Sequence, residues 1–450
     1  MQFNFIKILR WMTAMAAGML LMATVTRAES FPGAPDIHPE LTAAIEAMQQ
    51  GQGGANRPGL QKNLSLIGSV TLGPFFETSD VWALGNTAYV GGFGAGTTVK
   101  IVDISDPGNP TVVSELPFPS SSPQDVKAAR IHTRHFHGDM LLVGEEGPDG
   151  GFSLFDVSDP TNPVLLGGIR IPFVHNSYLY QKGNRAFVLL ALPFSEVFTG
   201  PDPFNPVISD FAIAEITDPA NPVIISDWGA GGDGGFPFGF DGFPGPCDVC
   251  RGDDFAAVFN HDVWANQQGT IAYLSYWDLG LILLDISDPA NPTFIGRGIE
   301  PSTFGNDEGN AHNAVPARGG NLVLVGDEDF APGPWGFLRV FDTGDAANPV
   351  QIGAFATDAA LSDTPLPSTA HNIFVRGNRA YLSWYFEGIR VVDFSQPSAP
   401  REIAAFVPAP GPPVNGLIWG VYVQGDLILA SDLVGILYIL KQEAEGAASP

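Results

Sequence analysis

Cysteine is almost missing from this chain of 450 residues; the two present are Cys247 and Cys250. Two cysteines cannot staple a fold of this size. In the stretch from Gly245 to Arg251 they read as a tight local disulfide of an oxidising compartment, with a metal or redox CxxC as the alternative. Basic residues are also scarce, 21 Lys and Arg against 48 Asp and Glu, for a net charge of −27. A surface of that sign repels nucleic acid and anionic lipid, which excludes both as expected partners. Long apolar runs are confined to the start. Lys7 and Arg10 precede the run from Met12 to Val25, and Thr26-Arg27-Ala28 is a small-residue cleavage site. Residues 1–28 are therefore expected to be a cleaved export signal, with an uncleaved anchor as the alternative. No later run reaches membrane length, and no cysteine near the cleavage point offers a lipid attachment. The expected product is a periplasmic or secreted protein with no membrane span after signal removal. A GxSxG elbow, a phosphate-binding glycine loop and HExxH are absent too, so no familiar catalytic signature assigns a reaction.

What the chain does have is glycine, proline and a repeat. With 53 Gly, 39 Pro and 45% hydrophobic residues it reads as an all-β repeat protein. The stretch Leu281-Ile-Leu-Leu-Asp-Ile-Ser-Asp-Pro-Ala-Asn-Pro292 recurs at Val99 to Pro110 and Phe152 to Pro163, with degenerate copies at 212–222, 338–349 and 389–400. Each is a short aliphatic or β-branched strand, an acidic residue and a turn. Pro presets φ in that turn and Asn tolerates the left-handed region. The acidic residues fall at Asp103, Asp156, Glu215, Asp285, Asp342 and Asp393. Their spacing of about fifty to seventy residues leaves room for four short strands, one blade of a β-propeller.

A second pattern precedes the signature, as in His371 to Ser383 and His261 to Ser275: a strand, a Gly-Asn-type hairpin turn and another strand. First strands are expected near Asp80, His132, His175, His261, His312, His371 and Trp419, which makes seven units. The last unit stops after its third strand, and an orphan strand, Leu64 to Leu72, stands before the first. The N-terminal strand should therefore join the C-terminal blade and close the ring. The expected plan is a signal at 1–28, a flexible lead at 29–62 and a seven-bladed propeller at 63–441. Loop insertions are expected at 192–206 and 229–258, and a disordered tail at 442–450. Pro39 to Gln50 in the lead reads as one short helix or as spacer.

The Val-Lys-Ile-Val-Asp and Leu-Ile-Leu-Leu-Asp segments resemble the LVIVD repeat over about residues 64 to 440. That resemblance implies a β-propeller, commonly on exported bacterial or archaeal proteins, and implies no single activity.

Chemistry is sought in the histidines. His132, His261, His312 and His371 stand at the expected starts of first strands, and His175 lies close to a fifth. Inner strands line a propeller's channel, so these residues should meet at one mouth. Second strands end at that mouth with Glu145-Glu146, Asp278, Asp327-Glu328-Asp329, Glu387 and Asp432. Imidazoles with carboxylates suit a divalent transition metal such as iron, copper, zinc or manganese. The expected ligands are His132, His261, His312 and His371, with His175 and Glu387 in catalytic acid–base roles. His135 and His137 share the strand of His132, and His137 is expected at an exposed turn. The insertions carry Phe194, Phe198, Phe204, Phe236, Phe238, Phe240 and Phe243, and Trp277, Trp335 and Trp384 follow related positions. These aromatics suggest a small apolar or aromatic molecule above the mouth, with Phe236, Phe238, Trp277 and Trp384 as expected contacts. The resulting expectation is a metal-dependent oxidoreductase of oxygenase type. The alternative is a non-catalytic module that binds a protein, glycan or calcium and whose histidines are structural. At the level of the propeller alone the chain is similar to carotenoid-cleaving oxygenases and to selenium-binding proteins with methanethiol oxidase activity. Neither family's motifs are matched, so neither assigns a residue in this chain.

Overall fold

The structure is a computed structural model. The described residues are 59–443 except 75–76, 194–208, 232, 234–244, 247–254, 257, 307–308, 330–333, 363–367 and 410–415. The expected signal, the helix at Pro39 to Gln50, the tail from 444, Phe236, Phe238 and both cysteines lie outside them.

Seven antiparallel sheets form the blades of a β-propeller. Their inner strands are Val81–Leu84, Ser122–His132, Asn176–Lys182, Asp262–Ala265, Ala311–Ala317, Ile373–Arg376 and Ile418–Gln424. Blades stack face to face, so a third strand buries both of its faces and reads as a continuous apolar run rather than an alternating one. Leu281, Ile282, Leu283 and Leu284 are all at most 1% exposed. Among the described residues no helix is long and apolar enough to cross a membrane.

The ring closes as expected. Leu64–Thr71 pairs antiparallel with Ile436–Gln442, with Leu64 opposite Gln442 and Thr71 opposite Ile436. The last residues of the expected flexible lead, Leu60–Lys62, are instead a fifth strand on blade 6, paired with Arg401–Val407. Asn63 bridges the two, at φ 53, and its side-chain amide donates to the Ile403 carbonyl at 2.7 Å. One N-terminal segment thus fastens blades 6 and 7 together.

The repeated signature proves to be a lock between blades. Asp285 accepts the Ser287 N–H at 2.7 Å, and Asp288 accepts the Ala290 N–H and the Asn291 amide at 3.1 and 2.7 Å. The same set recurs at Asp103 and Asp106 and at Asp342 and Asp345. The turn asparagines do not use the left-handed region that Asn tolerates; their value lies in the amide donor that ties the turn shut. Each turn docks on the bulged outer strand of the preceding blade. A Cβ on Gly68, Gly167, Gly296 or Gly353 would stand 2.0–2.3 Å from a turn carbonyl, so the contact demands the smallest residue. Blades 1 and 3 use Ser114 and Ser226 there, donating to the carbonyls of Pro160 and Pro289 at 2.6 Å.

Blade 2 departs from the expected register. Its inner strand starts at Ser122, and His132 is its last residue, opposite His137 across the hairpin. Its hairpin turn lacks the Gly-Asn pair found at Gly85-Asn86, Gly183-Asn184 and Gly377-Asn378, so the sequence pattern puts the start of the first strand near His132, where the strand in fact ends.

Candidate metal centre

Inner strands enter the channel at one mouth, and one position on each sets the first layer. Around the ring it is Ser79, Gln124, His175, His261, His312, His371 and Trp419. The four imidazoles therefore occupy consecutive blades, 3 to 6. Their successive ring centroids are 4.2, 4.2 and 4.4 Å apart, and the Nε2 atoms of His175 and His261 are 2.9 Å apart. All four are buried, between 2% and 6% exposed.

The backbone of the neighbouring blade orients these rings. The His261 Nδ1 lies 3.0 Å from the His312 carbonyl, and the His371 Nδ1 2.7 Å from the Trp419 carbonyl. A carbonyl can only accept, so each Nδ1 carries the proton and each Nε2 turns a lone pair into the channel, that of His261 accepting from the His175 Nε2. The His371 carbonyl is the counterpart for His312, without hydrogen-bond geometry.

Two carboxylates join the arc because side chains alternate along a strand. At the end of blade 5's second strand, Asp327 turns away and accepts from the Arg339 Nε at 2.7 Å. Glu328 turns in, 3.5 Å from the His312 Nε2 and 3.9 Å from the His371 Nε2, and accepts a hydrogen bond from the Tyr385 hydroxyl. In blade 2, Glu145 accepts from Ser121 at 2.8 Å while Glu146 stands 2.9 Å from the His175 Nδ1. Donor atoms of His261, His312 and Glu328 lie within 4.8 Å of one another.

Burial and mutual proximity set the charge states. Burial holds His261 and His312 well below the ordinary imidazole range, and the neighbouring rings push them further. Burial lowers His371 to about 3. Burial works against His175 too, but the Glu146 carboxylate outweighs it and its pKa rises. Burial lifts Glu328 to about 7, against the Tyr385 hydrogen bond. Three neutral imidazoles with one carboxyl poised near neutrality form a donor set, whereas a cationic set would repel an ion.

Below this layer lies an ionic one. Lys127 from blade 2 forms an ion pair with Asp80 at 3.0 Å and another with Asp125. Asp262 accepts from Asn313 at 2.9 Å; burial raises its pKa to about 7, against the pull of Lys127. Three positions beyond the first layer come Trp82, Tyr178, Trp264, Phe374 and Tyr422. Trp82 of blade 1 reaches Trp264 of blade 4 at 6.0 Å and Phe374 of blade 6 at 6.3 Å, so aromatic rings fill the channel from side to side.

The expected site residues divide accordingly. His261, His312, His371 and His175 come together. His132 does not: it ends the blade 2 strand on the opposite face, exposed, because the true first-layer residue of that blade is Gln124. Glu387 is held by Arg390 at 2.8 Å and is a clamp within blade 6 rather than an acid–base group over the histidines. Trp384 is fully buried in the core between blades 5 and 6, donating to the Ser368 carbonyl at 2.7 Å, and offers no surface to a ligand. Trp277 is in place, 5.1 Å from the His261 ring and 5.3 Å from Phe259. Across the mouth, Trp419 lies 4.0 Å from His371 and 5.4 Å from Phe93. Sequence reasoning set Glu146 and Glu328 among the carboxylates at the mouth without assigning either as a ligand, and gave no site role to Tyr385, Gln124 or Trp419. A signal for Gln124 and Trp419 existed: an aromatic or lysine three residues on, as in Gln124/Lys127 and Trp419/Tyr422.

The LVIVD repeat model matches residues 77–116, 147–169, 261–298 and 367–406. No curated protein matches the chain. Among solved structures, the β-propeller domain of Cps50 (Swd1) from Myceliophteria thermophila is similar, with a TM-score of 0.52 and 14% identity over 84% of this chain and 99% of that one. At that identity the likeness is one of fold alone.

Proposed function

We propose, for a chain that belongs to the LVIVD-repeat propellers, that the arc of His175, His261, His312 and His371 with Glu328 is the centre of a metal-dependent enzyme of redox type. The observation that carries this reading is the orientation of the imidazoles. Backbone carbonyls fix the Nδ1 protons of His261 and His371, which leaves Nε2 lone pairs converging with a carboxylate in a buried pocket. That is the donor set of a borderline divalent ion such as iron, copper, zinc or manganese. Such an ion supplies Lewis acidity or one-electron chemistry when bound. His261, His312 and Glu328 hold it, and His371 completes the set. His175, tied to Glu146 and 2.9 Å from His261, serves as a fourth imidazole or as the proton carrier beside it. Tyr385 holds one oxygen of Glu328 and directs the carboxylate. Phe259 with Trp277 on one side and Phe93 with Trp419 on the other give the mouth aromatic walls, which favours a small apolar or aromatic substrate. An export signal at residues 1–28, as expected from the sequence, would put this chemistry in the periplasm or outside the cell.

The competing reading makes the histidines inter-blade staples of a binding module, since His261 and His371 do bond across blades. Elemental analysis of protein purified without a metal-affinity step separates the two. Stoichiometric transition metal, lost in the His261→Ala plus His371→Ala variant, supports the centre. Protein that neither contains nor takes up metal, with ligand binding untouched by the double substitution, overturns it.

A further inference from the structure

His132 and His137, set aside by the channel, form a pair of their own. They close the inner hairpin of blade 2 and stand directly opposite one another in its register. Their Nδ1 atoms are 3.3 Å apart, both rings are exposed, and the ring centroids are 5.4 Å apart at 60°. The hairpin end is held firmly despite that exposure. Gln181 of blade 3 grips the His132 backbone on both sides, accepting its N–H and donating to its carbonyl, each at 2.8 Å. Thr133 donates to the Thr217 carbonyl at 2.7 Å, and Phe136 is buried beneath the turn. His135 projects from the same turn, exposed, in the sequence His132-Thr-Arg-His135-Phe-His137.

We infer that His132 and His137 are a second metal site, on the face of the propeller opposite the channel mouth, taking a divalent zinc-, nickel- or copper-like ion. The spacing carries the inference. An ion with metal–nitrogen bonds of about 2.0–2.1 Å and tetrahedral angles needs two nitrogens about 3.3–3.4 Å apart, which is the bite already present. Imidazole ligands select this borderline class over calcium and magnesium, which prefer oxygen. Cross-blade anchoring by Gln181 means that little ordering is left to do on binding. Water completes the coordination at this exposed position. The site does not depend on the channel centre, because the two lie at opposite ends of the inner strands.

The test uses full-length protein carrying His261→Ala and His371→Ala, which removes two of the channel's imidazoles, and the face pair is then read by its own removal. Zinc titration followed by calorimetry, and cobalt titration followed by visible absorption, should each show one saturable site per chain. The cobalt spectrum should have the intensity of a tetrahedral complex. Adding His132→Gln and His137→Gln should abolish both signals and remove the zinc-dependent rise in melting temperature, while circular dichroism stays unchanged. Equal zinc uptake and an equal cobalt spectrum with and without the pair would overturn the inference. So would no uptake in either protein. If the quadruple variant misfolds, His137→Gln alone, at an exposed hairpin position, provides the same comparison.

Discussion

One position on seven equivalent inner strands carries imidazole in blades 3 to 6 and Trp419, Ser79 and Gln124 in blades 7, 1 and 2. The contrast between these two arcs separates architecture from chemistry. The LVIVD match covers blade 1, where the position is Ser79, as well as blades 4 and 6, where it is His261 and His371. A blade therefore forms without the histidine, and the repeat does not require it. The arc without histidines has its own work. It closes the ring through Leu64–Thr71, and it supplies the Lys127, Asp80 and Asp125 cluster beneath the first layer. In the histidine arc the bonds of His261 and His371 to the next blade's carbonyl fix ring orientation; in blade 1 the Ser79 hydroxyl donates to the Gln124 carbonyl at 2.8 Å in the same way, so the cross-blade bond belongs to the architecture and the imidazole is what the arc adds.

The comparison can be broken first at the closure. Deleting Leu64–Thr71 leaves blade 7 with three strands and an open edge. The expected result is a fall in melting temperature larger than any single substitution produces, and an unaltered melting curve would contradict the closure. Next comes Lys127→Met, which strands Asp80 and Asp125 as buried carboxylates without their cation. Chemical denaturation should show a loss of about 3–5 kcal/mol, and retention of wild-type stability would mean that the ionic layer is not coupled through Lys127. On the other arc, Glu328→Gln keeps the shape and removes the carboxylate. Metal affinity should fall while the denaturation midpoint of metal-free protein holds; equal affinity would take Glu328 out of the ligand set.

The smallest effect is a pH slope. His371 is held at about 3 in the folded protein, below the ordinary 6.5, by burial. Between those values the unfolded chain binds a proton that the folded one refuses, so this residue costs stability as pH falls from 6.5 towards 3. In metal-free His371→Gln that cost is absent. The stability gap between wild type and variant should therefore shift in the variant's favour by about 1.4 kcal/mol per pH unit on acidification. Parallel stability curves would show that His371 does not stay neutral in the folded state.

The repeat made most of the fold legible, because each Asp-Pro-x-Asn-Pro turn is built from contacts within a few residues. Asp288, Ala290 and Asn291 bond to one another whatever surrounds them. Ring closure was legible for a related reason: a three-stranded unit at one end and a lone strand at the other have one economical solution. Blade 2 was not, since its turn at Thr133 to Phe136 is shaped by Thr217 and a buried Phe136, both tertiary contacts. That single shift sent His132 to the wrong face. The carboxylates failed differently. Glu328 follows directly on its strand, at the position that Tyr385 holds in blade 6, whereas Glu387 lies in the turn beyond Ser383, against Arg390. The path of the chain after the strand decides between them, and sequence spacing does not resolve it.

The belt of Trp82, Tyr178, Trp264, Phe374 and Tyr422 gives the channel a floor. With Trp82 touching residues on the far side of the ring, the histidine pocket is a cul-de-sac rather than a passage. Whatever reaches Glu328 and His312 must leave by the door it entered. If the proposed centre turns over a substrate, a product that lingers there blocks the next molecule, so product inhibition should be competitive and the clearing of that one doorway would cap the rate.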